Sequence, residues 1–596
     1  MKVGTRVKSS LILQTMLRTS KLLTPSENLR AVRIGIYTLF IALIDVAGLA
    51  LAFPVLMAAN DRCLVSEPGM LHDFKEFLGI QSYETYMIYL AALLLLVFVI
   101  KNGISLFASY LQSKFAYDVA TNLARRQFVK YYNRGYSYFK QTNSAEISNN
   151  VLNMPVFFVG GVLVSLINFL TELTVLLLVV MGIALANFTL FVALVFVLMP
   201  FGFLIYGMTK NRLSAIGEQQ LKLGAITLQR VNQAIFGYVD VRLTNKENYF
   251  MNEYIREQIT MNESYKMRHV INMIPSRALE AVGILGILVI FIYTFYTNEN
   301  NDSVFKFVTL FAAASSRVLP SLNRCLAAVM GIKSQLFALD VLEEGSMPTV
   351  LEKMDVHPLS FEKTIELKNL SFQFEGSDLV AVNDLTILVK KGEKIGIMGE
   401  SGSGKTTLMN ILLRFLVEKV GGIYIDGVKL GPNDIASWRA KIGYVQQNVF
   451  LLDANMRQNV AFGEHEEEID DERLRIAIEQ AHLTEFVESL PFGLETQVGE
   501  MGARLSGGQR QRIGIARALY FQSSVLVFDE ATSALDTDTE NAITESIQAL
   551  QNDMTVFVVA HRITTLRNCD RILELKDGKL IHIWNYPDLI HAKMLK

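Results

Sequence analysis

Lys405 and Thr406 close a run, IGIMGESGSGKTTL (395–408), whose residue types and spacing suit phosphate chemistry. Gly399, Glu400, Ser401, Gly402, Ser403, Gly404, Lys405 and Thr406 fill a G-x-x-x-x-G-K-[ST] pattern, and Thr407 follows. Glycines let backbone N–H groups converge on phosphate oxygens, and a helix that follows points its positive end at them. Lys405 adds a cation at the β- and γ-phosphates, and the Thr406 hydroxyl is placed to hold Mg²⁺. A chance glycine-rich turn is the plain alternative. It is disfavoured by the apolar β-branched run Ile395-Gly396-Ile397-Met398 before the loop and the helical pattern Leu408–Leu416 after it. The expected unit is strand, phosphate loop, helix.

Two further stretches carry chemistry of the same kind. Val525-Leu526-Val527-Phe528 reads as a buried strand that delivers Asp529 and Glu530 at its end. Asp529 is placed to hold Mg²⁺, directly or through water, and Glu530 to polarise an attacking water. Leu505-Ser506-Gly507-Gly508-Gln509 precedes an arginine-rich helix, Arg510–Leu519, and makes a second helix start suited to a phosphate. One nucleotide pocket already has its phosphate loop, so this second start calls for a partner subunit.

The elements that position these residues divide the chain in two. After a linker at 341–360, residues 361–596 alternate strands and helices. Expected strands are Thr364–Phe374, Leu385–Val389, Gly422–Ile425, Ile442–Val445, Ser524–Phe528 and Thr555–Ala560, with Asp470–Leu490 helical. That pattern predicts an α/β layered domain with a mainly parallel sheet and a helical subdomain. Residues 1–340 are different. The whole chain is 51% hydrophobic and 19% charged, and its mean hydropathy is positive, which suits a membrane protein carrying a soluble domain. A net charge of −2 argues against a nucleic-acid partner. The cysteines Cys63, Cys325 and Cys569 are too scattered for a disulfide framework or metal site.

Apolar segments at Ile34–Ala58, Met87–Leu111, Val156–Leu185, Phe188–Met208, Ala278–Tyr296 and Val304–Met330 predict six spans, since about twenty helical residues cross a hydrocarbon core. Pro200 and Pro320 fall inside the fourth and sixth. Basic residues dominate 1–33 and the segment from Lys114 to Lys140, whereas Asn60–Glu84 is acidic. Positive-inside then puts both termini and two long loops in the cytoplasm, with helical extensions below the bilayer. The N-terminal segment lacks the pattern of a secretory signal and reads as a basic, partly amphipathic surface segment.

Asp45, Glu172, Arg277, Glu280, Arg317 and Arg324 lie in or near the apolar stretches and should face protein or water. Arg277 and Glu280 are spaced to pair on one helix. Arg317 and Arg324 share a helix face with no acid on their own helix, which suits an anion; snorkelling near a helix end is the alternative.

Together the motifs of 360–590 resemble the nucleotide-binding domain of ATP-binding cassette (ABC) transporters. Gly399–Thr406 is similar to the Walker A motif, Leu505–Gln509 to the LSGGQ signature, and Val525–Glu530 to Walker B. Gln447 matches the Q-loop glutamine, Ser533–Asp536 the D-loop and His561 the switch histidine. Phe374 stands where an aromatic residue, usually tyrosine, stacks on adenine; it keeps the ring and lacks the hydroxyl. With six spans ahead of the cassette, the chain resembles a type I exporter half-transporter. The resemblance implies ATP and Mg²⁺ as cofactors, with Glu530, His561 and Gln447 catalytic and Thr406, Gln447 and Asp529 at the metal. It also implies a homodimer with two composite sites, each made of one chain's Walker A and the other's Ser506, Gly507, Gly508 and Gln509. A heterodimer stays open.

Three stretches of the membrane half, Phe139–Ile147, Pro275–Glu280 and Val318–Arg324, resemble bacterial flippases for lipid-linked oligosaccharides. Such a cargo has a pyrophosphate, a glycan and a polyprenyl tail, and Arg317 and Arg324 would meet its phosphates. Arg277 and Glu280 join them as candidate substrate contacts. Exporters of drugs, lipids or peptides are the competing reading, though no cysteine-protease domain is read ahead of the spans. An ABC channel or regulator that moves no cargo is a further alternative. A soluble ABC ATPase on DNA or ribosomes is excluded by the spans.

Overall fold

The computed structural model describes residues 11–60, 65, 69–186, 188–296, 301–344, 359–529, 554–560 and 562–594. The chain forms two compact units, Met1–Arg134 with Tyr138–Leu351, and Gly135–Ser137 with Glu352–Lys596.

In the first unit the principal helices are α1 (Leu11–Leu22), α2 (Pro25–Asn60), α3 (Tyr83–Asn133), α4 (Val164–Ala186), α5 (Phe188–Phe236), α6 (Glu247–Tyr296) and α7 (Asn301–Glu343). Helices α3, α5, α6 and α7 run for 51, 49, 50 and 43 residues. At 1.5 Å per residue each far exceeds a hydrocarbon core of about 30 Å, so the expected extensions are continuous with the spans. Among the described residues, five helices are long and apolar enough to cross a membrane. The expected fourth span falls in α5, where several side chains lie outside the described residues, as does the turn residue Asn187.

Short helices from Ser144 to Phe158 and a π-helical turn, Val159–Leu163, lead into α4. That turn belongs to the unit's largest buried cluster, where Leu123, Phe158 and Val162 pack with Ile332 and Leu339 of α7. A Cβ on Gly161 would stand 2.2 Å from Gln335 Cγ, so glycine is what lets the turn lie against α7.

In the second unit, β1 (Thr364–Gln373), β2 (Val380–Lys390), β4 (Val420–Ile425) and β5 (Val428–Lys429) form an antiparallel sheet in the order β2-β1-β4-β5. The other strands, β3 (Lys394–Gly399), β6 (Ile442–Val445), β7 (Val525–Asp529), β8 (Thr555–Val559), β9 (Arg571–Lys576) and β10 (Lys579–Trp584), form a sheet ordered β10-β9-β3-β8-β7-β6. It is parallel except for the β9–β10 hairpin. Alternation along its strands sorts the two faces. Ile395, Ile397, Val525, Val527, Phe557 and Val559 join one buried cluster with α8 (Lys405–Leu412) and β1. Met398, Leu526, Phe528, Val556 and Val558 join another, with α9 (Asp471–Gln480) and α10 (Gly507–Tyr520).

Two expectations for this unit are corrected. The single helix expected over Asp470–Leu490 is two, α9 and Thr484–Ser489, because His482 takes a left-handed backbone with φ 51°. The antiparallel sheet and the β9–β10 hairpin add to the mainly parallel sheet that was expected.

Candidate functional site

The phosphate loop is built between β3 and α8. Gly402 and Gly404 have φ of 81° and 99°, a region glycine enters without strain. A Cβ on Gly404 would lie 2.4 Å from the Ala381 carbonyl oxygen, and one on Gly399 2.3 Å from that of Leu575. The loop is thus pressed between the start of β2 and the end of β9, and Gly578 N–H donates to the Ser403 carbonyl at 3.2 Å. This support was missed in the sequence because the β9–β10 hairpin was not read there.

Lys405 is 5% exposed, and its ammonium donates to the carbonyls of Gly399 and Glu400, both at 2.9 Å. That holds the charge inside the loop. The buried Ser403 hydroxyl has no hydrogen-bond partner among the described residues, which leaves a polar atom in the cradle for a phosphate oxygen. Thr406 is exposed in the first turn of α8, and Thr407 is half-buried beside it.

Asp529 ends β7, and the Tyr444 hydroxyl of β6 donates to its Oδ2 at 2.9 Å. Burial, followed by the Asp529 charge, pushes the Tyr444 phenol well above its usual value, so it stays a donor. Tyr444 is a positioning residue that its place beside Gln447 did not announce. Gln447 is exposed just beyond β6. Phe374 follows β1, 43% exposed and edge-on to Phe372 with centroids 5.0 Å apart. Glu530, His561 and Ser533–Asp536 lie outside the described residues.

The signature turn starts α10 with reciprocal bonds: Gln509 N–H donates to Ser506 Oγ at 3.3 Å, and Ser506 N–H to Gln509 Oε1 at 2.8 Å. Ser506 is exposed, Gly507 half-buried and Gly508 buried. From the same helix, Arg517 donates to the carbonyls of Asn459 and Phe450, both at 3.1 Å. Burial lowers its pKa to about 10, and the segment beyond Gln447 is tied to the signature helix. Helices α8 and α10 pack in different buried clusters, on opposite faces of the six-stranded sheet. Phosphate loop and signature turn therefore do not converge within one chain.

In the membrane unit, the structure pairs the candidate substrate residues with acids. Arg324 Nε lies 2.5 Å from Glu172 of α4. Asp45 of α2 takes Lys101 at 2.8 Å and Arg317 at 3.7 Å. Arg277 and Glu280 pair at 3.3 Å on α6, both well exposed. The acids that meet Arg317 and Arg324 come from α2 and α4, while Asp340 and Glu343 at the end of α7 pair with Arg18 of α1. A polar pocket of about 430 Å³ is lined by Asp45, Gln112, Asn168, Glu172 and Arg324 among others, and Glu172 Oε2 has no hydrogen-bond partner among the described residues. A second pocket of about 640 Å³ on the same α4 and α7, completed by α5 and the start of α1, is almost wholly apolar, with Leu176, Leu198, Phe203, Val318 and Leu322 in its wall.

Residues 382–533 match the family model described as ABC transporter. The chain is 30% identical to the ATP-dependent lipid A-core flippase of Cupriavidus metallidurans over 90% of both chains. It is 29% identical to the protein of the same name from Ralstonia nicotianae over 84% of both. Among solved structures, a bacterial Atm1-family ABC exporter with ATP bound superposes with a TM-score of 0.76 at 21% identity, covering 94% of this chain and 96% of that one. That likeness is one of fold.

Proposed function

The chain belongs to the ABC transporter family, and from that premise we propose that it is a flippase moving a lipid-linked oligosaccharide from the inner to the outer leaflet of a bacterial inner membrane. It is a multi-pass membrane protein in which ATP hydrolysis is coupled to transport. The observation that carries the cargo reading is the pair of pockets on α4 and α7, one polar and one apolar. An amphipathic cargo needs both: a wet, hydrogen-bonding place for its head and a dry one for its tail. Arg317 and Arg324 contact the head group, with Asp45 and Glu172 limiting how much positive charge the cargo meets. Arg277 and Glu280 contribute on α6.

ATP binds with its phosphates against Gly399–Thr407 and its adenine on Phe374. The residues fit Mg²⁺: Thr406, Gln447 and Asp529 would hold it, and it would neutralise charge on the β- and γ-phosphates. Glu530 positions and deprotonates the attacking water, and His561 supports the transferred phosphoryl group. A second copy of the chain supplies Ser506–Gln509 across the site, because α8 and α10 lie on opposite faces of their own sheet. Closing two such sites brings the cassettes together and so drives the helices.

ATPase measurements in liposomes test the cargo. A polyprenyl-pyrophosphate oligosaccharide should stimulate turnover several-fold over free polyprenyl phosphate or an apolar drug. Equal stimulation by all three would replace this reading with a general lipid or drug exporter.

A further inference from the structure

A third pocket of the membrane unit, about 280 Å³, lies where α1 gives way to α2 and is lined by Thr24, Ser26, Glu27, Arg30, Asn122, Arg125 and Arg126. Its depth follows from α1. That helix buries Thr15, Thr19 and Leu22 and exposes Leu13, Met16 and Leu17, an apolar stripe at i, i+3 and i+4. A short helix with such a stripe lies in the headgroup boundary of a bilayer.

The pocket's charges do not balance. Among the described residues Glu27 is its only acid, and its carboxylate is already engaged: it accepts from Thr24 N–H at 2.8 Å, Asn122 Nδ2 at 3.1 Å and Arg126 Nη2 at 3.2 Å. Arg126, 7% exposed, is further fixed by donating to the Leu22 carbonyl at 2.9 Å, and its Nε has no partner among the described residues. Arg30 and Arg125 are exposed and form no ion pair among the described residues. Two uncompensated guanidinium groups thus flank a third that is prepositioned and still has a donor to give. Guanidinium forks match phosphate oxygens, and basic pockets between helices at the cytoplasmic rim take anionic lipid heads.

We propose that this pocket binds the phosphate head group of an anionic membrane phospholipid and so ties the start of α2 to α3. A phosphate on the cargo lipid offers the same chemistry. The bulk lipid is favoured because Asn122 and Gln112 of the cargo pocket are ten residues apart on α3, about 15 Å along the helix.

The test uses the full chain in nanodiscs of phosphatidylcholine with or without phosphatidylglycerol, reading ATPase activity, and native mass spectrometry of retained lipid. Phosphatidylglycerol should be retained by the unmodified protein and raise its activity. Arg30→Gln with Arg125→Gln should weaken that retention roughly tenfold or more, while Arg30→Lys with Arg125→Lys keeps most of it. Activity in pure phosphatidylcholine should be equal in all three. Undiminished retention in the glutamine pair would overturn the proposal. So would retention of polyprenyl phosphate in place of phosphatidylglycerol when both are offered.

Discussion

Charged side chains in the two units hold different things. In the ATPase unit those around the phosphate loop, the signature helix and the β4–β5 turn hold backbone, although others pair as Arg414 does with Glu418 and Arg571 with Glu393: Lys405 grips two carbonyls of its loop, Arg517 two more, and Asp426 accepts the N–H groups of Glu362, Lys363 and Thr364. In the membrane unit they hold one another, as Arg324 does Glu172, Lys101 and Arg317 do Asp45, and Arg126 does Glu27. The reason is the state of the backbone. Long helices consume their own N–H and C=O groups, so a charge inside them meets other side chains, and Arg126 and Glu27 reach backbone only where α1 ends and α2 begins. Loops at strand ends leave backbone groups over, and those groups are what a phosphate or a clamping charge can use. The proposed nucleotide site lies where backbone groups are free, and the proposed cargo contacts lie where side chains meet side chains.

The largest effect should come from the loop. Lys405→Ala removes the cation seated inside it, and Glu530→Gln removes the proposed base. Each should lower steady-state ATP hydrolysis at least roughly a hundredfold. Turnover near that of the unmodified protein in either variant would sink the assignment of this loop as the hydrolytic site.

The side-chain pairs of the membrane unit should respond as pairs. Arg324→Gln alone strands Glu172, which is mostly buried, and should destabilise that unit by about 1–3 kcal/mol. Adding Glu172→Gln should recover much of the loss while leaving cargo stimulation of the ATPase impaired. Thermal unfolding and stimulated turnover of Arg324→Gln, Glu172→Gln and the double variant separate the two effects. If the double variant is as unstable as the sum of the singles, the pair is not a unit.

This difference also explains what could be read in advance. Gly399–Thr407, Ser506–Gln509 and Asp529 each carry their chemistry in a few consecutive residues, with the strand or helix that presents them alongside. The helices of the membrane unit were legible for a similar reason, since length and apolarity are local properties. Partners were not. Nothing near Arg324 points to Glu172, and nothing in Leu575 or Gly578 announces a support for the phosphate loop. Tyr444 sits three residues from Gln447, yet its bond to Asp529 depends on β6 and β7 being neighbours. Such contacts are set by strand order and helix packing, which no single stretch encodes.

Packing in the membrane unit can be probed without touching a charge. Gly161→Val would drive a side chain into Gln335 and should cost about 1–3 kcal/mol. Cys325 and Cys569 are buried in different units. With Cys63 and Cys569 changed to serine, thiol labelling of Cys325 should therefore speed up in the glycine variant. With Cys63 and Cys325 changed instead, labelling of Cys569 should not. Equal acceleration at both would mean that the two units open together.

The smallest effect concerns Asp426, the ATPase unit's clearest case of a charge on backbone. Its oxygens accept three N–H groups at 2.7, 2.7 and 2.8 Å, joining the β4–β5 turn to the start of β1. Burial alone would raise this carboxyl, but the three donors together carry it below its usual value. A depressed folded pKa means stabilisation that is complete above the unfolded value, about 3.9, and lost as pH falls through the folded one. Asp426→Asn should therefore unfold at a lower temperature than the unmodified protein at neutral pH, with the gap shrinking only below about pH 4. Both tryptophans of the chain, Trp438 and Trp584, lie in this unit, so their fluorescence follows it alone. A gap that persists unchanged at the acid end would mean that the turn is held by shape and not by charge, and the contrast between the units would lose its simplest support.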